Sequence, residues 1–177
     1  MRIIAIGGEP GAGKSTLMTR FVNHIQPSKM YNEVKLVPYL KQGNIYILGK
    51  YDEGEVFSGT DRMSMAVQPE AIKFLESLSK DSIVLFEGDR LFNASFLEHC
   101  VENYDTTIIY LSTAKEIREE RYKQRGSEQN ETWLNGRETK INRILTNFNL
   151  MYNMEKFNHN SIDDQHVVFE FITDLVK

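Results

Sequence analysis

The sequence predicts an α/β domain of three layers, a mainly parallel sheet covered by helices on both faces. Three observations predict it. Short, continuously apolar runs alternate with longer stretches in which apolar residues recur every three or four positions. The apolar runs lack the in-out alternation of a half-exposed antiparallel sheet, so both their faces are expected to be buried. A Gly-rich segment ending at Gly13 follows the first such run and leads straight into the first helical pattern.

Arg2 to Gly7 reads as a short strand, and Leu17, Phe21 and Ile25 mark the first helix. Val34 to Leu40 and Ile45 to Tyr51 read as two strands of a hairpin, because Lys41, Gln42, Gly43 and Asn44 between them are turn residues. Pro69 suits the first position of a helix, where its missing N–H costs nothing, and Ile72, Leu75 and Leu78 continue the stripe. Ile83 to Phe86 is a fully apolar strand, Ala94 to Glu102 a helix, and Thr107 to Leu111 another strand. Ala114 to Gln124 is a charged helical stretch, whereas Gly126 to Thr132 is polar, lacks an apolar period and reads as a mobile loop. Ile141, Ile144, Leu145, Phe148 and Tyr152 predict a long amphipathic helix, and His166 to Phe171 a last strand. With no repeats and only four scattered prolines, residues 1–177 are read as a single domain. In such a sheet, ligands are expected at the carboxyl ends of the strands.

A chain of 177 residues with 41% hydrophobic content can bury a full core. Its one cysteine, Cys100, excludes an intramolecular disulfide framework and a Cys-rich zinc site, and points to a reducing, cytoplasmic address. Ile3 to Ile6 is too short for a secretory core or a membrane span, so no membrane role is expected. Twenty-one basic against 25 acidic residues give a net charge of −4, without the overall basic footprint of a non-specific nucleic-acid binder. A local basic groove is compatible with that total.

The segment Gly8, Glu9, Pro10, Gly11, Ala12, Gly13, Lys14, Ser15 matches GxxxxGK[ST] without a departure, between a predicted strand and a predicted helix. Its glycines allow backbone N–H groups to curl around phosphate oxygens. Lys14 supplies charge toward the β- and γ-phosphates, Ser15 a hydroxyl for Mg²⁺, and the helix that begins there its positive end. Gly8, Gly11, Ala12, Gly13, Lys14, Ser15 and Thr16 form the expected contact set for a nucleoside triphosphate such as ATP. The apolar run Ile83 to Phe86 ends in Glu87, Gly88, Asp89 and Arg90, which places acids where a magnesium water shell would need them. Glu87 and Asp89 both remain candidates for that role beside Ser15.

With these motifs in this order, followed by an arginine cluster, the chain resembles the P-loop nucleoside and nucleotide kinase superfamily over most of its length. The resemblance implies a five-stranded parallel core, MgATP as donor, an acceptor region inserted after the first helix (about 34–66), and an arginine-bearing lid (about 114–136). Arg118, Arg121 and Arg125 are then the lid cations expected to neutralise the transferring phosphoryl group. The 118 to 121 spacing puts the first two on one helix face. Trp133 nearby is read as a base-stacking ring or a buried anchor, and Arg137, Lys140 and Arg143 as a solvated helix face.

Acceptor contacts are expected between Tyr51 and Arg62, a polar, Gly-punctuated segment. Asp61 and Arg62 read either as an acid that takes the proton of an acceptor hydroxyl beside a planar fork for a phosphate, or as a local turn in which Asp61 caps the chain and Arg62 pairs with a surface acid; Arg90 is a further candidate for acceptor contact. Tyr39, Tyr46, Tyr51 and Phe57 give the region an aromatic cast suited to a nucleobase. The hairpin combined with Glu87 to Arg90 is similar to small phage-type P-loop kinases that phosphorylate 5-hydroxymethyluracil in DNA during base hypermodification. That resemblance implies host cytoplasm as the setting and a base flipped from the duplex as acceptor. Arg62, Arg90, Lys41 and Lys50 would then line the entrance. A free nucleoside or nucleoside monophosphate kinase would need the same donor site. A nucleotide-dependent switch or ATPase is the reading from another class, and the lack of an Asn-Lys-x-Asp run argues against a GTPase.

Overall fold

A computed structural model describes residues 1–27, 30–51, 59–124 and 130–177. Among these residues, seven strands form one sheet in the order β2-β3-β4-β5-β1-β6-β7, where β1 is Arg2–Gly8, β2 Met30–Tyr31, β3 Tyr39–Gln42, β4 Ile45–Leu48, β5 Ile83–Glu87, β6 Asp105–Ser112 and β7 Met154–Asn158. Five of them, β4-β5-β1-β6-β7, run parallel; β3 and β2 extend the sheet antiparallel beyond β4. The hairpin is therefore no appendage. Its second strand, in register Ile45↔Ile83 to Leu48↔Phe86, is the outer strand of the parallel group.

Among the described residues, six α-helices cover the sheet: α1 (Lys14–Ile25), α2 (Val67–Ser77), α3 (Ala94–Asn103), α4 (Lys115–Gln124), α5 (Glu131–Leu145) and α6 (Ile162–Leu175). Alternate residues of β1 face opposite cores, as the two-residue period of a strand requires. Ile3 and Ala5 join Val84, Phe86 and Ile108 under Ala71 and Leu75 of α2, Phe96 of α3 and Ile141 of α5. Ile4 and Ile6 join Leu85, Ile109 and Leu111 under Leu17, Met18 and Phe21 of α1 and Val168 and Ile172 of α6. Three layers result, and no helix among the described residues is long and apolar enough to cross a membrane.

Several expected elements move. His166 to Phe171 is not a strand but the middle of α6, where Val168 and Ile172 recur at helical spacing and are buried. The helix starts at Ser161 in a capping box with Asp164, a signal legible three residues apart. The last strand is instead Met154–Asn158, whose polar Glu155 and Lys156 suit a sheet edge. The predicted long helix stops at Leu145, and Phe148 and Tyr152 lie exposed beyond it. Of Val34 to Leu40 only the end is strand, because Val34 to Leu36 turn, with Leu36 at φ 62°. Residues 43 and 44 alone make the hairpin turn, since Gln42 pairs with Ile45 and Gly43 supplies φ 57°. Pro69 is the third, not the first, residue of α2. Of the expected loop 126–132, Glu131 and Thr132 belong to α5, capped by Asn130.

Candidate active site

The Gly-rich loop lies between the carboxyl end of β1 and the start of α1, at the point where the sheet order sends β5 one way and β6 the other. Gly11 and Gly13 have φ of 78° and 90°, and a Cβ on Gly13 would come within 2.6 Å of the His159 ring. Lys14 folds back so that Nζ donates to the carbonyls of Gly8 (3.0 Å) and Glu9 (3.2 Å). The next three carbonyls are tied from behind. Pro10 O accepts from the Tyr122 hydroxyl, Gly11 O from Arg121 Nη1 (3.0 Å), and Ala12 O contacts His159 Nδ1 (2.7 Å) and accepts from Thr113 Oγ1 (3.4 Å). In a trans peptide the N–H points away from the carbonyl, so these ties turn the N–H groups of Gly11 and Gly13 to the opposite side, where an anion would sit.

Arg118 and Arg121 of α4 therefore both stand on this loop. Arg118 pairs with Glu9 at 3.2 Å and reaches Glu138 of α5 at 3.8 Å. Arg121 Nη2 also donates to the His159 carbonyl at 3.2 Å. Arg125, the third expected lid cation, lies outside the described residues, as does Phe57. Trp133 is partly exposed on α5, with the Arg137 guanidinium 4.9 Å from its ring centre.

Across the cleft, β5 delivers Glu87 into the buried end of the sheet, where it is 1% exposed. Ser15 Oγ donates to Glu87 Oε1 at 3.4 Å, and Glu87 Oε2 is buried with no hydrogen-bond partner among the described residues. Burial pushes the Glu87 carboxyl up to about 8, against the opposing pull of the Lys14 charge. Gly59, Thr60 and Asp61 wedge onto this strand end so closely that a Cβ on Gly59 would lie 2.2 Å from Glu87 Oε1. The wedge is held by paired backbone bonds, Lys50 N–H to Gly59 O (3.1 Å) and Gly59 N–H to Lys50 O (2.8 Å). Asp61 Oδ1 accepts from the Asp89 N–H at 2.6 Å, and burial first, then the Asp89 charge, raises its carboxyl above the ordinary range. The Thr60 and Tyr51 hydroxyl oxygens are also buried without partners among the described residues, and burial carries the Tyr51 hydroxyl well above its usual value.

Of the two acids at the strand end, only Glu87 faces Ser15. Asp89 pairs with Arg137 and lies 3.9 Å from Lys140 Nζ, which also donates to the Asp89 carbonyl at 2.6 Å. Arg137 and Lys140 thus lie at the site rather than on a solvated face, and only Arg143 of that group is exposed. Their signal was the stripe Trp133, Arg137, Lys140 at helical spacing; His159, which follows the polar strand β7, left none. Arg90 donates from Nε to the Met63 carbonyl at 3.3 Å, beside Arg62. No group of three or more His, Cys, Asp or Glu side chains among the described residues is arranged to hold a metal. A hydrated Mg²⁺ does not need one. One hydroxyl and one carboxylate with a spare oxygen, Ser15 and Glu87, fit an ion that keeps waters and takes phosphate oxygens from its nucleotide.

A family model, P-loop Nucleotide Kinase3, matches residues 1–158. The chain belongs to that family. It is a kinase, and its fold recurs in a gluconokinase from Sinorhizobium meliloti 1021, at 10% identity over 98% of this chain and 94% of that one, with a TM-score of 0.53. A shikimate kinase from Bacteroides thetaiotaomicron aligns with a TM-score of 0.49 at 13% identity, over 99% of this chain and 98% of that one. No curated protein matches the kinase.

Proposed function

We propose that the kinase transfers the γ-phosphoryl group of MgATP to a hydroxyl of a nucleotide-like acceptor. One observation carries the reading: the Gly59-Thr60-Asp61 wedge brings Asp61 to the same strand end that Glu87 shares with Ser15 and the phosphate-binding loop. Donor and acceptor chemistry then meet at one point. The acceptor oxygen attacks the γ-phosphorus, the bond from that phosphorus to the β,γ-bridging oxygen breaks, ADP departs, and the hydroxyl proton passes to Asp61. Magnesium, held through Ser15 and Glu87, would supply charge neutralisation at the β- and γ-phosphates. Lys14 turns from the Gly8 and Glu9 carbonyls to the phosphate oxygens, since an anion is the stronger partner for an ammonium. The raised carboxyl of Asp61 makes it a stronger base than an exposed aspartate. Arg118, Arg121 and Arg125 serve the donor side, the first two by bracing the loop.

A cavity of 190 Å³ opens beside the wedge, with Lys50 and Arg62 on its wall and Leu36, Val37 and Pro38 as an apolar side. This pairing of cations with an apolar face supports an acceptor that carries both a phosphate and a base. 5-Hydroxymethyluracil in DNA is the narrowest form of the reading; Lys50, Arg62 and the neighbouring Arg90 support it, whereas Lys41 lies over the Tyr46 ring of the hairpin. The test is labelled ATP offered with nucleosides, nucleoside monophosphates, and DNAs containing thymine, uracil or hydroxymethylated pyrimidines. Label confined to hydroxymethylated DNA establishes the narrow form, label on free nucleotides the broader one. Phosphate release that ignores every acceptor overturns both.

A further inference from the structure

Asp89 stands at the turn after β5, and its carboxylate, carbonyl and N–H are each engaged by a different group. The carboxylate meets Arg137, the carbonyl accepts from Lys140 Nζ at 2.6 Å, and the N–H donates to Asp61 Oδ1 at 2.6 Å. Both cations belong to α5, whereas Asp61 belongs to the wedge on the acceptor side. The Asp89 and Arg137 side chains are only 19% and 23% exposed, so solvent and salt screen this pair far less than a surface pair.

We propose that Asp89 is a positioning residue: it reads the placement of α5 through its carboxylate and carbonyl and passes it to Asp61 through its N–H. The physical step is short. Arg137 and Lys140 fix the side chain and the following peptide plane of Asp89, which places its Cα and backbone nitrogen, the atom whose N–H holds one Asp61 oxygen. With that oxygen pinned, the orientation of the other toward an acceptor hydroxyl is set. Misplacement of a reacting group by about 1 Å can cost on the order of a hundred-fold in rate. The same contacts assign Asp89 away from the metal, because two cations already claim its charge.

The inference rests on Asp61 as the acceptor-side base, so Asp61→Asn is measured in parallel. Asp89→Asn keeps the N–H and removes the charge that holds Arg137. We expect kcat to fall roughly 10- to 100-fold with the KM for ATP and the Mg²⁺ requirement changed less than about threefold. Arg137→Gln should fall similarly, and the double variant should be no worse than its weaker parent, as for two halves of one device. Thermal melting checks folding; should Asp89→Asn not fold, Arg137→Gln and Lys140→Met carry the same kcat test. A wild-type kcat in the folded variants, additive losses in the double variant, or a loss repaired by raising Mg²⁺ would each overturn the inference. If Asp61→Asn transfers phosphate at the wild-type rate, the base reading itself fails and takes this one with it. If Asp61→Asn is inactive while Asp89→Asn is normal, only the positioning role falls.

Discussion

The phosphate-binding loop and the Gly59 to Asp61 wedge differ in how their backbone and their buried side chains are satisfied. Around Gly8 to Lys14, carbonyl after carbonyl has a donor: Lys14, Tyr122, Arg121, Thr113 and the His159 ring lie behind five consecutive residues. Around Gly59 to Asp61, buried oxygens of Tyr51, Thr60 and Glu87 have none among the described residues, and beside the loop the same holds of Glu9 Oε2 and His159 Nε2. Buried polar groups without partners cost stability, typically about 1–3 kcal/mol each. A protein tolerates them where something else completes the set. The backbone of the phosphate-binding loop is thus held within the chain itself, whereas the unpartnered atoms at the wedge are all side-chain oxygens.

Substitutions on the two sides should fail differently, and the largest effect is expected at the loop. Lys14→Ala should abolish transfer from labelled ATP, by roughly a thousand-fold or more, with little change in melting temperature, since it removes charge from the reacting phosphate rather than core. Full activity in that variant would remove the donor side from the comparison altogether. Asp61→Asn should lower kcat by about a hundred- to ten-thousand-fold while ATP affinity, read by calorimetry, stays near wild type. If ATP binding collapses instead, Asp61 belongs with the loop and the division is drawn in the wrong place. In the wild type, the acid limb of the kcat profile should lie above the ordinary aspartate range, because Asp61 must be ionised to act and burial raises its carboxyl.

Glu87→Gln sharpens the contrast through stability. With a folded value of about 8 against an ordinary 4.5, the folded protein keeps a proton that the unfolded chain has lost between those values. Stability of the ligand-free protein should therefore fall as pH rises from about 4.5 to 8. The glutamine variant, which cannot ionise, should be more stable than wild type at pH 8 by roughly 2–4 kcal/mol and nearly equal to it at pH 4.5, as chemical denaturation would show. It should also lose Mg²⁺-dependent transfer; a variant with both unchanged stability and unchanged metal response would mean that Glu87 is not strained. The smallest effect is expected behind the loop. Tyr122→Phe deletes one hydrogen bond to the Pro10 carbonyl and should weaken ATP binding about three- to tenfold with kcat preserved.

What the sequence determined alone was everything whose chemistry is local. The phosphate-binding motif is eight consecutive residues, its glycines read for their backbone geometry and its lysine and serine for an ammonium and a hydroxyl, and the buried central strands announce themselves as apolar runs of four or five. The α/β class and phosphate binding follow from those runs and that loop, and the kinase activity from the family resemblance that the motifs carry. What tertiary structure decided was each matter settled between residues remote in the chain. The edge strand Met154–Asn158 is polar because it has one neighbour, so the apolar run of α6 drew the strand reading instead. The division of labour at Glu87 and Asp89, two residues apart, is set by what folds against them: Ser15 and the wedge on one, Arg137 and Lys140 of α5 on the other. No spacing rule reports it, because a carboxylate's role depends on which charges and hydroxyls share its few ångströms of buried space, and the packing of separate elements places those.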